Sequence, residues 1–206
     1  MTLRLAVATH NAHKLTEFRR MIAAALPAAE VVSAGGPAPT ETGVSFAENA
    51  EIKARAGAAA CGGPALADDS GLCVEVLGGA PGIFSARWGG ESAGDETNRR
   101  LLLAQLRDIP ESHRGARFVC ALCLYIPASE SGPERVRTVL GEWPGRILHE
   151  ERGSEGFGYD PIFAPAGTPR SAAELAPEAK DADSHRHRAL ERMLPILREE
   201  LGGAAL

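Results

Sequence analysis

The chain of 206 residues has no run approaching about 18 consecutive apolar residues, which excludes a membrane-spanning helix. It lacks a basic segment followed by a long apolar stretch near its start. Leu3-Arg4-Leu5-Ala6-Val7-Ala8 comes at once, so no secretory signal is expected. It lacks an excess of positive charge. The formal net charge is −5, so no nucleic-acid partner is expected and any phosphate site has to be local. It contains neither a Walker motif nor a G-x-G-x-x-G fingerprint, and no internal repeats or low-complexity tract. Cysteines number only four: Cys61, Cys73, Cys120 and Cys123. The last two are spaced C-x-x-C, but they lie in an apolar run, 117–125, with strand character. Positions three apart on a strand point to opposite faces. Buried core thiols are therefore expected, not a zinc site or a disulfide. A cytoplasmic location follows as the expectation.

What is present fits a soluble globular protein with an ordinary core: 44% apolar and 24% charged residues. One domain over residues 1–206 is expected, with two lobes that do not separate. Leu3–Thr9 reads as a buried strand. Leu15, Phe18, Ile22 and Leu26 are spaced as on a helix, and Pro27 stops it. Val31-Val32 is a second short strand. Ser45-Phe46-Ala47-Glu48 reads as a capping box opening a helix that runs to about Cys61. Ala65–Asp68 and Leu72–Val76 read as two strands flanking an Asp-Asp-Ser-Gly turn. Further helices are expected over 95–107 and 184–201, with a helical turn near 171–175. Two longer strands, 117–126 and 135–142, are expected to pair antiparallel. Strands alternating with helices indicate an α/β fold with a central mixed β-sheet flanked by helices. The long consecutive strands suggest a second lobe, with an active-site cleft between the two lobes.

Several segments carry candidate chemistry. Thr9-His10-Asn11-Ala12-His13-Lys14 joins the first strand to a helix, where an α/β protein meets anions through backbone amides and a positive helix end. An Asn cap alone would also explain Asn11. No metal role is assigned to His10 or His13. Asp68-Asp69-Ser70-Gly71 sets two carboxylates side by side at a strand end. They would repel and be costly to bury unless a cation lay between them, and Mg²⁺ suits such a pair. A solvated Asx-turn is the plainer alternative. Glu41, in the loop before the second helix, could add a carboxylate. Gly156-Phe157-Gly158-Tyr159-Asp160-Pro161 shows two aromatic rings on a glycine-flexible loop, suited either to stacking on a flat ligand or to plugging the core. Ser184-His185-Arg186 opens the last helix with cations, which the helix dipole disfavours unless an anionic or carbonyl-bearing ligand is near. Lys180 lies just upstream.

In this order the motifs resemble one family, the inosine triphosphate pyrophosphatases, also called the Ham1-like non-canonical purine NTP pyrophosphatases. Thr9-x-Asn11-x-x-Lys14 is similar to the family's phosphate motif. Phe46-x-Glu48-Asn49-Ala50-x-x-Lys53-Ala54 resembles its second helix. Ala67–Leu72, Gly79–Arg87, Gly156–Pro161, Ala173–Leu175 and Lys180 to Arg186 resemble further family segments. His187 departs from the pattern, since bacterial members usually carry Gly after Ser-His-Arg. The resemblance implies a homodimer that hydrolyses dITP, ITP and XTP to the monophosphate and pyrophosphate, with Mg²⁺ as cofactor and no membrane partner. It implies that Thr9, His10, Asn11, Ala12, His13 and Lys14 hold the triphosphate. Glu41 and Asp69 would serve the metal, Asp69 would also be the base, and Ser70 would touch the substrate. Phe157, Gly158, Tyr159, Asp160, Lys180, His185 and Arg186 would bind the purine. The position of His185 and Arg186 at a helix start further suggests that they face its oxo edge, with Phe157 stacked on the ring. Two other readings are a Mg²⁺-dependent hydrolase of canonical or modified pyrimidine nucleotides and a non-catalytic nucleotide-binding module. Paired carboxylates beside phosphates argue against the last, because a mere binder has little need of them.

Overall fold

Leu5, Ala6 and Val7 are all buried, the continuous apolar pattern of an interior strand in a parallel region. In the computed structural model, which describes residues 3–27, 29–129 and 132–201, they form β1 (Leu3–Val7). It pairs in parallel with β2 (Ala29–Ser33) on one side and β3 (Ala65–Val74) on the other. The sheet continues through β4 (Gly115–Ile126), β5 (Arg135–Ile147) and β6 (Phe163–Pro165), in the order β2-β1-β3-β4-β5-β6. β5 and β6 are antiparallel, so the sheet is mixed. The helices are α1 (Ala12–Ala25), α2 (Phe46–Cys61), α3 (Asp95–Gln105), α4 (Pro177–Asp181) and α5 (His185–Leu201). No helix among the described residues is long and apolar enough to cross a membrane.

The chain divides into two compact units. The first comprises Met1–Asp69, Cys120–Gly141 and Arg186–Leu206, and the second Ser70–Val119 and Glu142–His185. In the first unit, strand alternation sorts side chains onto two faces. Leu66 of β3 and Cys120, Leu122 and Leu124 of β4 pack with Phe18, Met21 and Ile22 of α1 and with Leu190, Met193 and Leu197 of α5. The intervening Ala67, Ala121 and Cys123 pack with Ala50 and Ala54 of α2. The two C-x-x-C thiols thus belong to opposite faces, and both are buried and free. The second unit has its own core, built on Leu72, Leu102, Leu106, Phe118, Trp143, Tyr159, Ile162 and Phe163.

The Asp-Asp-Ser-Gly segment is not a turn. It lies inside β3, which runs unbroken for 10 residues. The local turn preference of Asp, Ser and Gly is overridden by packing, and Gly71 shows why. A Cβ there would fall 2.4 Å from both the Gly82 carbonyl oxygen and the Ser85 hydroxyl. The glycine allows a close approach and not a bend. The capping box is also altered. Ser45 accepts the Glu48 amide as expected, but the Glu48 carboxylate accepts from Val44 N–H, one residue beyond the cap. β6 and the short α4 had no counterpart in the sequence pattern.

Candidate active site

The continuity of β3 decides what its two carboxylates can do. Asp68 shares the face of Leu66, toward α1 and α5. Asp69 shares the face of Ala67, toward α2. Adjacent in sequence, they are not competitors for one cation. Each is buried and each has a lysine. Asp68 Oδ2 accepts from Lys14 Nζ at 2.8 Å, and Asp69 Oδ1 accepts from Lys53 Nζ at 2.6 Å. Each carboxylate thus meets one ammonium group, on its own face.

On the α1 face, Asn11 caps the helix, its Oδ1 accepting from the His13 and Lys14 amides at 2.9 and 3.2 Å. Thr9 Oγ1 accepts from Asn11 N–H, and the His10 ring Nε2 lies 2.9 Å from the Gly36 carbonyl oxygen. His10, Asn11, Ala12 and His13 are exposed. Arg186, on the first turn of α5, is buried here. Its Nη1 donates to Glu17 Oε2 at 2.9 Å, and its Nε lies 3.6 Å from Asp68 Oδ2. The anion needed to excuse a cation at this helix start is supplied by the protein, through Glu17 and Asp68. Burial raises the Asp68 carboxyl, but Lys14, Arg186 and Lys53 outweigh it and hold the group well below the usual carboxylate range.

On the α2 face, Lys53 Nζ bridges two acids, donating to Asp69 Oδ1 and, at 3.1 Å, to Glu41 Oε1. Burial lowers the Lys53 pKa, yet Asp68, Asp69 and Glu41 together raise it, so the ammonium is held charged. Asp69 shifts the other way. Burial pushes its carboxyl up, and Lys53 and Lys14 only partly oppose this. Asp69 Oδ2 is buried and has no hydrogen-bond partner among the described residues. Lys53 was visible in sequence only as part of the second-helix resemblance. Its signal was position: Asn49, Lys53 and Gly57 form one i, i+4 stripe on a helix whose inner face is otherwise small and apolar. Glu17, the other residue not foreseen, follows Lys14 by one turn and precedes the buried Phe18.

The remaining candidates belong to the second unit. Ser70 is half-buried on β3. Phe157 is half-buried, with Lys180 Nζ 5.1 Å from its ring centroid. Asp160 is buried, and its Oδ2 accepts from Lys180 Nζ at 2.7 Å and from Phe157 N–H at 2.9 Å. Gly156 permits this turn. Its φ is +75°, and a Cβ would fall 2.1 Å from Asp160 Oδ2. Tyr159 is not a second displayed ring. It is 4% exposed in the core, and its hydroxyl donates to the Ser85 carbonyl at 2.8 Å. The aromatic clamp thus reduces to Phe157. His185 is buried and stacks on Phe118, ring centroids 4.9 Å apart and 14° from parallel. Trp143 continues the stack and donates its Nε1–H to Asp183 Oδ2 at 3.2 Å. His187, the departure from the family pattern, lies 3.4 Å from Glu191 Oε1 one turn along α5.

Among the described residues no group of three or more His, Cys, Asp or Glu could hold a metal ion. Mg²⁺ takes one or two protein carboxylates and completes its shell with water and substrate phosphate. The partnerless Asp69 Oδ2 and the nearby Glu41 are donors of the hard oxygen type that such an ion takes.

The first unit thus carries two buried carboxylate–lysine pairs, and the second a loop with one half-buried ring. Known proteins narrow this further. Residues 5–196 match the model of the Ham1 family. The chain is 51% identical over 196 residues to a dITP/XTP pyrophosphatase of Leifsonia xyli subsp. xyli, covering 95% of this chain and 96% of that protein. It is 53% identical over 203 residues to a dITP/XTP pyrophosphatase of Streptomyces avermitilis, covering 97% and 99%. The solved structure of a HAM1 protein from Coxiella burnetii superposes with a TM-score of 0.82 at 40% identity, covering 96% of this chain and 99% of that one. The chain belongs to the Ham1 family.

Proposed function

We propose that this protein is a nucleoside triphosphate pyrophosphatase that cleaves non-canonical purine nucleotides, dITP, ITP and XTP, to the monophosphate and pyrophosphate. The observation that carries the reading is Asp69: buried, raised in pKa, gripped by Lys53 through one oxygen and presenting the other without a partner. In this reading Asp69 Oδ2 takes the proton of the attacking water as its oxygen adds to the α-phosphorus, and pyrophosphate leaves. Burial makes that carboxylate a stronger base than an exposed Asp. Lys53 holds it in place, and Lys14 and Lys53 supply positive charge beside the phosphates. Lys14 is oriented by Asp68, beside which Arg186 is held in turn by Glu17. Mg²⁺, held by Asp69 and Glu41, would polarise the phosphate and offset developing charge when bound. The amides and side chains of Thr9 to Lys14 would hold the triphosphate, and Ser70, the next residue of β3, would touch it.

For the base, Phe157 offers its ring for stacking and Lys180 its ammonium to the oxo oxygen, with Gly158, Asp160 and His185 shaping the surroundings. An ammonium meets an acceptor at position 6 of hypoxanthine or xanthine. It meets an amino donor in adenine and loses that bond, a difference of about 1.5–3 kcal/mol for a charged hydrogen bond. This reading places the protein in the cytoplasm, cleansing the nucleotide pool, as a homodimer. The test is a panel of nucleoside triphosphates with Mg²⁺, scoring pyrophosphate against orthophosphate. Pyrophosphate release from ITP, dITP and XTP well above ATP and GTP is expected. Orthophosphate release, or a preference for a pyrimidine, would overturn it.

A further inference from the structure

Gly158, between Phe157 and Tyr159, is gripped on both sides by one helix. Its N–H donates to Asp95 Oδ2 at 2.8 Å, and its carbonyl oxygen accepts from Arg99 Nη1 at 2.9 Å. Asp95 opens α3 and Arg99 lies one turn later, so the two side chains leave the same face of that helix. Each has its own support. A carboxylate on the first residue of a helix is favoured by the dipole. The Arg99 guanidinium is met on another edge by Glu151, with Nε 3.1 Å from Oε2. Downstream, Tyr159 is tied to Ser85 O through its hydroxyl. Upstream, the Phe157 amide is tied to Asp160. The segment that carries the Phe157 ring is therefore held at three successive residues, and at Gly158 the backbone itself is held on both sides from outside the loop.

We propose that Asp95 and Arg99 are positioning residues for substrate recognition: their two-sided hold on the Gly158 peptide sets the stance of the Phe157 ring against the purine. The inference rests on the reading that Phe157 stacks on the base. Neither residue touches the reacting phosphates, so the pair acts on binding and leaves the chemical step alone. Stacking demands a ring held within a fraction of an ångström beside Lys180, and a loop freed at Gly158 would spread that ring over several positions before binding. The ordering then falls on the substrate and weakens it.

The test is steady-state kinetics with inosine triphosphate on the full chain. Asp95→Ala is expected to raise KM about fivefold, the scale of one neutral-to-charged hydrogen bond at a partly exposed site, with kcat unchanged. Arg99→Ala should do the same from the other side of the peptide. Asp95→Asn should recover most of the loss, because its amide oxygen accepts the same N–H. Phe157→Ala should raise KM further, and adding Asp95→Ala to it should cost nothing more. Melting temperatures of all variants, measured alongside, should stay near wild type. The proposal is overturned if Asp95→Ala and Arg99→Ala leave KM unchanged, if they lower kcat instead, or if the Asp95→Ala penalty persists undiminished without the Phe157 ring. If Phe157→Ala itself leaves KM unchanged, the assignment of the base to this loop falls, and the clamp falls with it.

Discussion

The two units solve the burial of charge in different ways. Around β3 of the first unit, cations and anions alternate: Glu17, Arg186, Asp68 and Lys14 on one face, Asp69, Lys53 and Glu41 on the other. In the second unit, ion pairs such as Arg100–Glu96, Arg117–Glu142 and Arg152–Glu150 lie exposed, and rings and carbonyls surround the buried groups. Arg114 is 1% exposed, and burial lowers its pKa. Its guanidinium donates to the backbone oxygens of Leu106, Ile109, Ile147 and Leu148. His185 sits in a stack of rings, and Lys180 pairs with the carboxylate of Asp160. A region of dense alternating charge suits a triphosphate, whose own charges can replace neighbours at each lysine. A region of rings and dipoles suits a neutral, planar base. Within each unit, the difference matches the polarity of the part of a nucleotide that the proposed function gives to its residues.

Four substitutions would break or sharpen that division. The largest effect is expected for Asp69→Asn, which removes the base while keeping the shape. Turnover of ITP should fall by about 10²–10⁴-fold, the range for a positioned general base, with an unchanged circular dichroism spectrum. Near wild-type rates at saturating Mg²⁺ would take the chemistry away from β3. Next comes Asp68→Ala. It strips Lys14 and Arg186 of a shared buried carboxylate, and a loss of about 3–5 kcal/mol in urea unfolding is expected. Acid should reproduce part of this in the wild type. Asp68 titrates lower when folded than when unfolded, so its contribution is complete above its unfolded value, about 3.9, and disappears as pH falls through the folded one. Asp68→Asn should lack that acid-side loss.

Arg186→Ala is the sharpest probe of the boundary, because Arg186 follows His185 in the chain and yet faces Glu17 and Asp68. Stability should drop by roughly 3 kcal/mol, as for other broken buried pairs. kcat/KM should fall by the same factor for ITP and ATP. A tenfold loss confined to ITP would return Arg186 to base recognition. The smallest effect is expected for Tyr159→Phe, which deletes one buried hydroxyl. About 1 kcal/mol should be lost in thermal or urea unfolding, with the ITP-to-ATP ratio unaltered. A change in that ratio would mean that the ring does meet the base.

What could be read beforehand, and what could not, divides along the range of the interactions. The caps of α1 and α2, Asn11 and Ser45, are satisfied within three residues, and both were legible. So were the faces of Cys120 and Cys123, which follow from strand alternation alone. The order of motifs led to the right family. β3 was misread because its turn-forming residues are local facts, while the reason for Gly71, the approach of Gly82 and Ser85, lies more than ten residues away. Arg186 is the instructive case. The dipole argument rightly demanded an anion at the start of α5, but Glu17 is 169 positions distant and nothing in the spacing pointed to it. Lys53 and Tyr159 differ in the same sense: which ring is core and which lysine is functional depends on what the far chain brings to them.

The unbroken course of β3 has a consequence for how such a protein can change over generations. Substitution of Leu66 or Ala67 by another apolar residue disturbs packing and leaves the two acids on their faces. Gain of a single codon between Ala65 and Asp68 would do the reverse. Every hydrophobe would remain, yet Asp68 would turn toward α2 and Asp69 toward α1 and α5. Each lysine would face a differently placed partner, and Asp68 would stand where Asp69 had been. Along this strand, length is therefore guarded more tightly than identity, and drift in the gene should accumulate here as replacements, with insertions and deletions pushed out to the surface connections.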